Sequence, residues 1–152
     1  MSEQPRAVTG GCLCGHVRYE AEAFVDSAFY CHCSICRHSS GQPADIGVPV
    51  KPGTLRFTRG GPKFYKSSDW LRRGFCQHCG SRLVNIPSNR EDQWATNLAV
   101  GSLDDPTQVR PYAHIFSDTQ LRWFDPDAAL PHRSASEFED AVQEMKVRLG
   151  VD

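Results

Sequence analysis

The chain has 152 residues, and its 17 Lys and Arg against 18 Asp and Glu give a formal net charge of −1 at pH 7. This length favours a single domain over residues 1–152, and the balanced charge gives no electrostatic attraction to nucleic acid or to an anionic membrane. No apolar run approaches the ~20 residues of a membrane span and the first residues lack the apolar stretch of a signal peptide, so we expect a cytoplasmic protein without nucleic-acid or membrane partners.

Short strands are predicted over most of the first 100 residues. Alternating apolar and polar residues predict strands in 14–23 and in 27–33, and the second strand leads into a cysteine cluster. Residues 38–47 contain Gly, Pro and Ser and predict a loop. Six further strand regions follow: 46–50, 53–60, the segments KFYKSS and LRRGFC on either side of a turn near Ser68 and Asp69, 81–87, and 94–100.

The last part of the chain predicts an amphipathic α-helix over about 135–149. Its apolar residues recur at spacings of four, three and four, at Phe138, Val142, Met145 and Leu149. Ser134 or Ser136 is the expected N-cap, and Gly150 the expected end. We therefore predict a mainly β protein of short strands with one C-terminal α-helix.

Seven cysteines require an explanation in a reducing compartment. An odd number does not suit a closed set of disulfides, and the spacings are short: Cys12, Cys14, Cys31, Cys33, Cys36, Cys76 and Cys79. Two pairs are flanked by glycine, in GGCLCG and in FCQHCGSRL. Together these pairs are typical of a structural zinc site in which protein fills all four positions: Cys12, Cys14, Cys76 and Cys79.

The remaining triplet, Cys31, Cys33 and Cys36, predicts a zinc site of another kind. An extended backbone directs Cys31 and Cys33 to one side and His32 away from it. Three thiolates leave one coordination position open, as expected of a catalytic zinc, and an electron-rich site of this kind suits a soft ligand such as a substrate thiol.

Two alternatives to this division remain open at the level of sequence. A histidine, namely His38, His78 or His114, could fill the fourth position of the triplet. Spacing also allows one site to be formed by Cys12, Cys14, Cys31 and Cys33.

Four segments in the same order resemble the glutathione-dependent formaldehyde-activating enzyme family, also called the centromere protein V family. They are GGCLCGHVRYE, CHCSICRHSSG, GFCQHCGSRL and LAVGSLDDP…PYAHIF, and the resemblance covers about 10–125. It implies a β-tent (Mss4-like) fold of small, coiled antiparallel sheets around zinc. It also implies two zinc sites, structural at Cys12, Cys14, Cys76 and Cys79, and catalytic at Cys31, Cys33 and Cys36.

The reaction implied by this resemblance joins glutathione and formaldehyde to S-(hydroxymethyl)glutathione, which is classed as a carbon–sulfur lyase reaction. His38 is a candidate proton donor for the new hydroxyl group. Arg37, Arg72 and Arg73 are candidates for binding the two carboxylates of glutathione.

Other residues bear on the substrate and on competing functions. Asp45, in the loop expected beside the open zinc, is expected to disfavour an anionic peptide substrate such as glutathione. Trp94 and Trp123 are expected in the core or in a pocket wall. Two alternative functions remain. One is a zinc-stapled protein-binding module, with a closed or empty second site and an exposed apolar patch, and the other is a thiol or zinc sensor based on the triplet.

Overall fold

A computed structural model describes residues 2–152 of the chain. Strands account for 34% and helices for 26%, which confirms the prediction of a mainly β protein with a C-terminal helix. None of the helices described is long and apolar enough to cross a membrane.

The strands of residues 2–152 form two sheets. The smaller sheet is antiparallel and has the order β1-β2-β5, with bounds β1 (Arg6–Gly11), β2 (Arg18–Ala23) and β5 (Arg56–Arg59). The larger sheet has the order β11-β10-β3-β4-β9-β8-β7-β6. Its strands are β3 (Ala28–Cys31), β4 (Asp45–Pro49), β6 (Lys63–Lys66), β7 (Leu71–Phe75), β8 (Arg82–Pro87), β9 (Asn97–Ala99), β10 (Pro111–Ile115) and β11 (His132–Arg133).

The strands predicted between 14 and 100 are confirmed as β2 to β9. Most are shorter than predicted, and β4 begins and ends one residue earlier. β1, β10 and β11 were not predicted; β1 ends on two glycines, and β10 and β11 have only five and two residues. β10 also pairs in parallel with both β3 and β11, whereas the other strand pairs are antiparallel. This parallel pairing brings Ile115 beside Cys31 at the end of β3.

A short helix, α1 (Ser34–Ser40), replaces the first part of the predicted loop 38–47. Its N-cap is Cys33, whose Sγ accepts a hydrogen bond from the backbone N–H of Cys36 at 3.2 Å. The helix ends at Gly41, whose φ of 68° lies in the left-handed region that glycine adopts without strain. A cysteine sulfur in the usual place of a Ser or Asp cap explains why the sequence pattern did not predict this helix.

The C-terminal helix is confirmed as α2 (Phe138–Leu149), preceded by one 3₁₀ turn, Ala135–Glu137. The Glu137 carboxylate accepts a hydrogen bond from the Ser134 N–H at 2.9 Å, so the helical segment begins after Ser134 rather than after Ser136. Its buried face consists of Ala141, Met145 and Leu149.

The main core lies between the two sheets. Tyr19 of the small sheet packs in the same buried cluster as Val48 and Leu98 of the large sheet. Cys12 and Cys76 belong to this cluster, so the four-cysteine group is continuous with the core. A second cluster under α2 consists of Phe24, Met145 and Leu149.

Replacement of a core side chain tests this packing. Leu98 is fully buried, so Leu98→Ala should lower the free energy of unfolding by about 3–5 kcal/mol in urea denaturation, because lost burial and an unfilled cavity add. The matched control is Leu13→Ala. The Leu13 side chain is 90% exposed, so its truncation should change the free energy of unfolding by less than about 0.5 kcal/mol. Equal losses in the two variants would contradict the position assigned to the core.

Candidate functional site

The first cysteine group is formed by two pairs that are distant in the chain. The ligand atoms of Cys12, Cys14, Cys76 and Cys79 all lie within 4.8 Å of one another. The Cys14 Sγ is 3.6 Å from the Cys12 Sγ and 3.9 Å from the Cys76 Sγ. A tetrahedral zinc with Zn–S bonds of about 2.3 Å places its sulfurs about 3.8 Å apart, whereas a disulfide requires about 2.05 Å. The donor set therefore fits a tetrahedral metal ion.

Backbone geometry supports this group on both sides. The Val17 N–H donates to the Cys12 Sγ at 3.2 Å, which stabilises a thiolate. Gly15 and Gly80 follow Cys14 and Cys79 with φ of 78° and 77°, values that a residue with a Cβ adopts only with strain. These glycines let each chain segment turn back after its second cysteine.

The second group consists of Cys31, Cys33 and Cys36, whose sulfurs also lie within 4.8 Å of one another. Cys31 ends β3, Cys33 caps α1 and Cys36 lies in the first turn of α1. His32 is on the opposite side of the strand, fully buried, with its Nε2 2.8 Å from the Nδ1 of His114. Burial lowers the pKa of His32 to about 4, so this ring is neutral at physiological pH.

The alternatives left by the sequence are resolved by these positions. Within residues 2–152 no further Cys, His, Asp or Glu joins the triplet, and no group combines Cys12 and Cys14 with Cys31 and Cys33. Of the candidate histidines, His114 contacts His32, His78 packs against the ring of His16, and His38 is exposed on α1. The division into four and three cysteines that the sequence predicted is therefore the one that the structure forms.

A cavity of about 360 Å³ lies beside the triplet and is lined by all three of its cysteines. Aromatic residues form much of the wall: Phe29, Trp70, Trp94, Tyr112, Phe116 and Phe138. α2 closes one side with Val142, Met145 and Leu149. Phe116 has a φ of 53°, a conformation that is rare for a bulky residue and that recurs at functional sites.

Arg73 connects the triplet to a buried polar network. Its side chain is 2% exposed, and its Nη2 lies 3.4 Å from the Cys36 Sγ. Its Nη1 is 3.4 Å from Asp45 Oδ2, and its Nε donates to Ser67 Oγ at 2.9 Å. Asp45 also accepts from Arg82 at 3.1 Å, so two guanidinium groups face this one carboxylate.

These contacts change the roles expected of the charged residues. Asp45 does not present an unpaired negative charge to the cavity, which corrects the expectation that its charge disfavours an anionic peptide substrate. The donors of Arg73 are directed at Cys36, Asp45 and Ser67 rather than left free for substrate carboxylates.

The other candidate residues do not line the cavity: Arg37, Arg72 and His38. Arg72 is exposed on the opposite side of β7 from Arg73, with its guanidinium 5.3 Å from the centre of the Phe64 ring. Trp94 does line the cavity, but Trp123 is 74% exposed, so the expected core or wall position is wrong for Trp123.

Hydrogen bonds within the triplet favour one thiolate. Contacts from the Cys31 and Cys36 thiols, together with the Cys36 N–H and the charge of Arg73, lower the pKa of Cys33 to about 3 despite burial. Hydrogen bonds with Cys33 and Cys36, together with burial, raise the pKa of Cys31. Of the three, Cys33 is thus the cysteine that most readily becomes a thiolate, which is the form of cysteine that binds metals.

A further group of possible ligand atoms, His114, Asp125 and His132, does not have the geometry of a metal site. The two imidazole rings are stacked, with centroids 4.1 Å apart and an interplanar angle of 13°. The lone pairs of metal ligands must converge on one point, whereas the nitrogen lone pairs of two parallel rings point along parallel planes and do not converge. We assign the group to hydrogen bonding, since His132 Nε2 lies 2.8 Å from Asp125 Oδ1.

Comparisons with known proteins agree with the order of the motifs. A family model described as glutathione-dependent formaldehyde-activating enzyme matches residues 7–119. A solved structure of a Rhodobacter sphaeroides protein is 23% identical, covers 82% of this chain and 98% of its own, and superposes with a TM-score of 0.51, which shows a shared fold. No curated protein matches the sequence.

The two cysteine groups should differ in their effect on stability. Cys76→Ser should lower the melting temperature by about 10 °C or more, because it breaks a closed site within the core, where metal binding contributes directly to folding. Cys33→Ser makes the same chemical change at the cavity wall and should lower the melting temperature by only a few degrees. Thermal unfolding and metal content measured by mass spectrometry check this difference, and equal losses in both variants would contradict it.

Proposed function

Because the chain belongs to the glutathione-dependent formaldehyde-activating enzyme family, we propose that it joins a thiol to formaldehyde or a related small aldehyde at Cys31, Cys33 and Cys36. One observation supports this most directly. The three sulfurs line a cavity, and among residues 2–152 no fourth ligand side chain closes the group. A protein-binding module with a closed second site is less consistent with such a cavity.

Zn²⁺ is the metal that we propose for both groups, since four thiolates are a typical structural donor set and a catalytic zinc has three protein ligands and an open fourth position. When bound to the triplet, zinc supplies an open position at which an incoming thiol loses its proton. Arg73 holds a positive charge 3.4 Å from the Cys36 Sγ and so offsets part of the negative charge of the three thiolates. Asp45 and Ser67 hold that guanidinium in place.

The cavity contributes by holding the two reactants close together. A C–S bond forms between the thiol sulfur and the aldehyde carbon, and the carbonyl oxygen takes up the proton that the thiol released. The product is a hemithioacetal, and the reverse reaction is that of a carbon–sulfur lyase. Confinement beside the triplet removes part of the entropic barrier, and the apolar wall excludes bulk water from the reacting groups.

The proposed function can be tested by NMR exchange spectroscopy. The measured quantity is the rate at which a thiol and its hemithioacetal interconvert in the presence of formaldehyde. Glutathione and phenylmethanethiol should both be used, so that the result does not depend on one thiol. The zinc-loaded protein should accelerate exchange of at least one thiol, and Cys33→Ser should reduce that acceleration about 100-fold or more, because it removes a ligand at the site of reaction.

The control is Ser34→Ala, which alters the exposed residue next to Cys33 and should retain the wild-type rate. If the protein accelerates neither thiol, or if Cys33→Ser is as active as Ser34→Ala, the proposed function is wrong.

A further inference from the structure

We infer that the thiol substrate of this protein is uncharged and largely hydrocarbon, an alkyl or aromatic thiol, rather than a charged peptide such as glutathione. This inference rests on the proposed function. It identifies the class of molecule that the cavity beside the triplet admits.

The first argument is the charge of the cavity wall. Apart from the cysteines of the triplet, the only charged side chains among the described residues that line it are Asp45 and Arg73, which pair with each other and with buried neighbours. Glutathione has two carboxylates and an ammonium group, and each of these would enter without a free partner of opposite charge. Unpaired charges are costly to remove from water, whereas apolar groups gain free energy when aromatic walls cover them.

The second argument is size. Formaldehyde has a single carbon atom, and a cavity of about 360 Å³ is far larger than it needs. An apolar cavity of about 150 Å³ already admits benzene. The space beside the cysteines therefore suits the body of the thiol, with its sulfur directed at the triplet.

The third argument is the origin of the wall. The family match ends at residue 119, but α2 (Phe138–Leu149) supplies Phe138, Val142 and Met145 to the cavity. Part of the apolar surface thus comes from a segment outside the region that the family model describes. The region matched by the family model supplies the cysteines, and the helix beyond that region supplies part of the surface that a bound thiol would contact.

Binding to the zinc-loaded, full-length protein tests the inference without turnover. Isothermal titration calorimetry should give a Kd for phenylmethanethiol at least about tenfold lower than that for glutathione, since burial of a phenyl ring corresponds to about that factor or more. If glutathione binds as tightly as phenylmethanethiol, or more tightly, the inference is overturned.

A matched pair of variants locates the bound thiol. Val142 lines the cavity, whereas Val147, on the same helix, is 68% exposed and outside it. Val142→Lys places a charge in the wall and should raise the Kd for phenylmethanethiol about tenfold or more, while Val147→Lys should leave it unchanged. Circular dichroism checks that both variants fold, and a Kd unaffected by Val142→Lys in folded protein would show that the thiol lies elsewhere.

These outcomes separate the inference from the proposed function. If phenylmethanethiol binds as expected but the protein accelerates the exchange of neither thiol with its formaldehyde adduct, the proposed reaction is wrong. The inference that the cavity binds an apolar thiol is then still supported. If glutathione exchange is accelerated and glutathione binds more tightly than phenylmethanethiol, the proposed reaction is supported. The inference of an apolar thiol is then wrong.

Discussion

The convergence of Cys12, Cys14, Cys76 and Cys79 is the constraint on which the rest of the structure depends. The two pairs belong to different loops, and Cys76 lies 62 residues after Cys14 in the chain. Their sulfurs meet at the edge of the main core. A metal ion bound at this point would tie the turn between β1 and β2 to the turn between β7 and β8. Because β7 supplies Arg73 and β8 supplies Asn85 to the cavity, this connection also fixes the side of the triplet that faces the buried polar network.

That network explains how a charged group lies within an apolar cavity. Arg73 is almost completely buried, and a buried cation is tolerated only when its donors are paired. Asp45, Ser67 and the Cys36 sulfur provide those partners, and Arg82 adds a second cation to the same carboxylate. The polar groups therefore satisfy one another, which leaves the aromatic surface to contact a ligand.

Local patterns were sufficient to predict β2 to β9 and the C-terminal helix, because each depends on spacing over a few residues. They missed β1, β10 and β11, and the division of the cysteines followed from spacing only together with the family resemblance. Features that depend on partners far apart in the chain were not predicted. Arg73 was expected to bind substrate, but its partner Asp45 lies 28 positions earlier and reaches it only across the large sheet. The apolar spacing in α2 indicated that one face of the helix is buried. It contained no information that this face would border the cysteine triplet. Trp123 was misplaced because size alone does not determine the burial of an aromatic residue.

The contribution of α2 to the cavity has a consequence for how such proteins diverge. The cysteines are held by the two sheets, whereas one boundary of the chamber is supplied by a separate helix near the end of the chain. Changes in that helix can alter which molecules enter while the metal ligands stay the same. Under the proposed function, homologues with the same cysteine motifs and different C-terminal segments would share reactivity and differ in selectivity, and substrate preference could evolve in this segment without change to the cysteines.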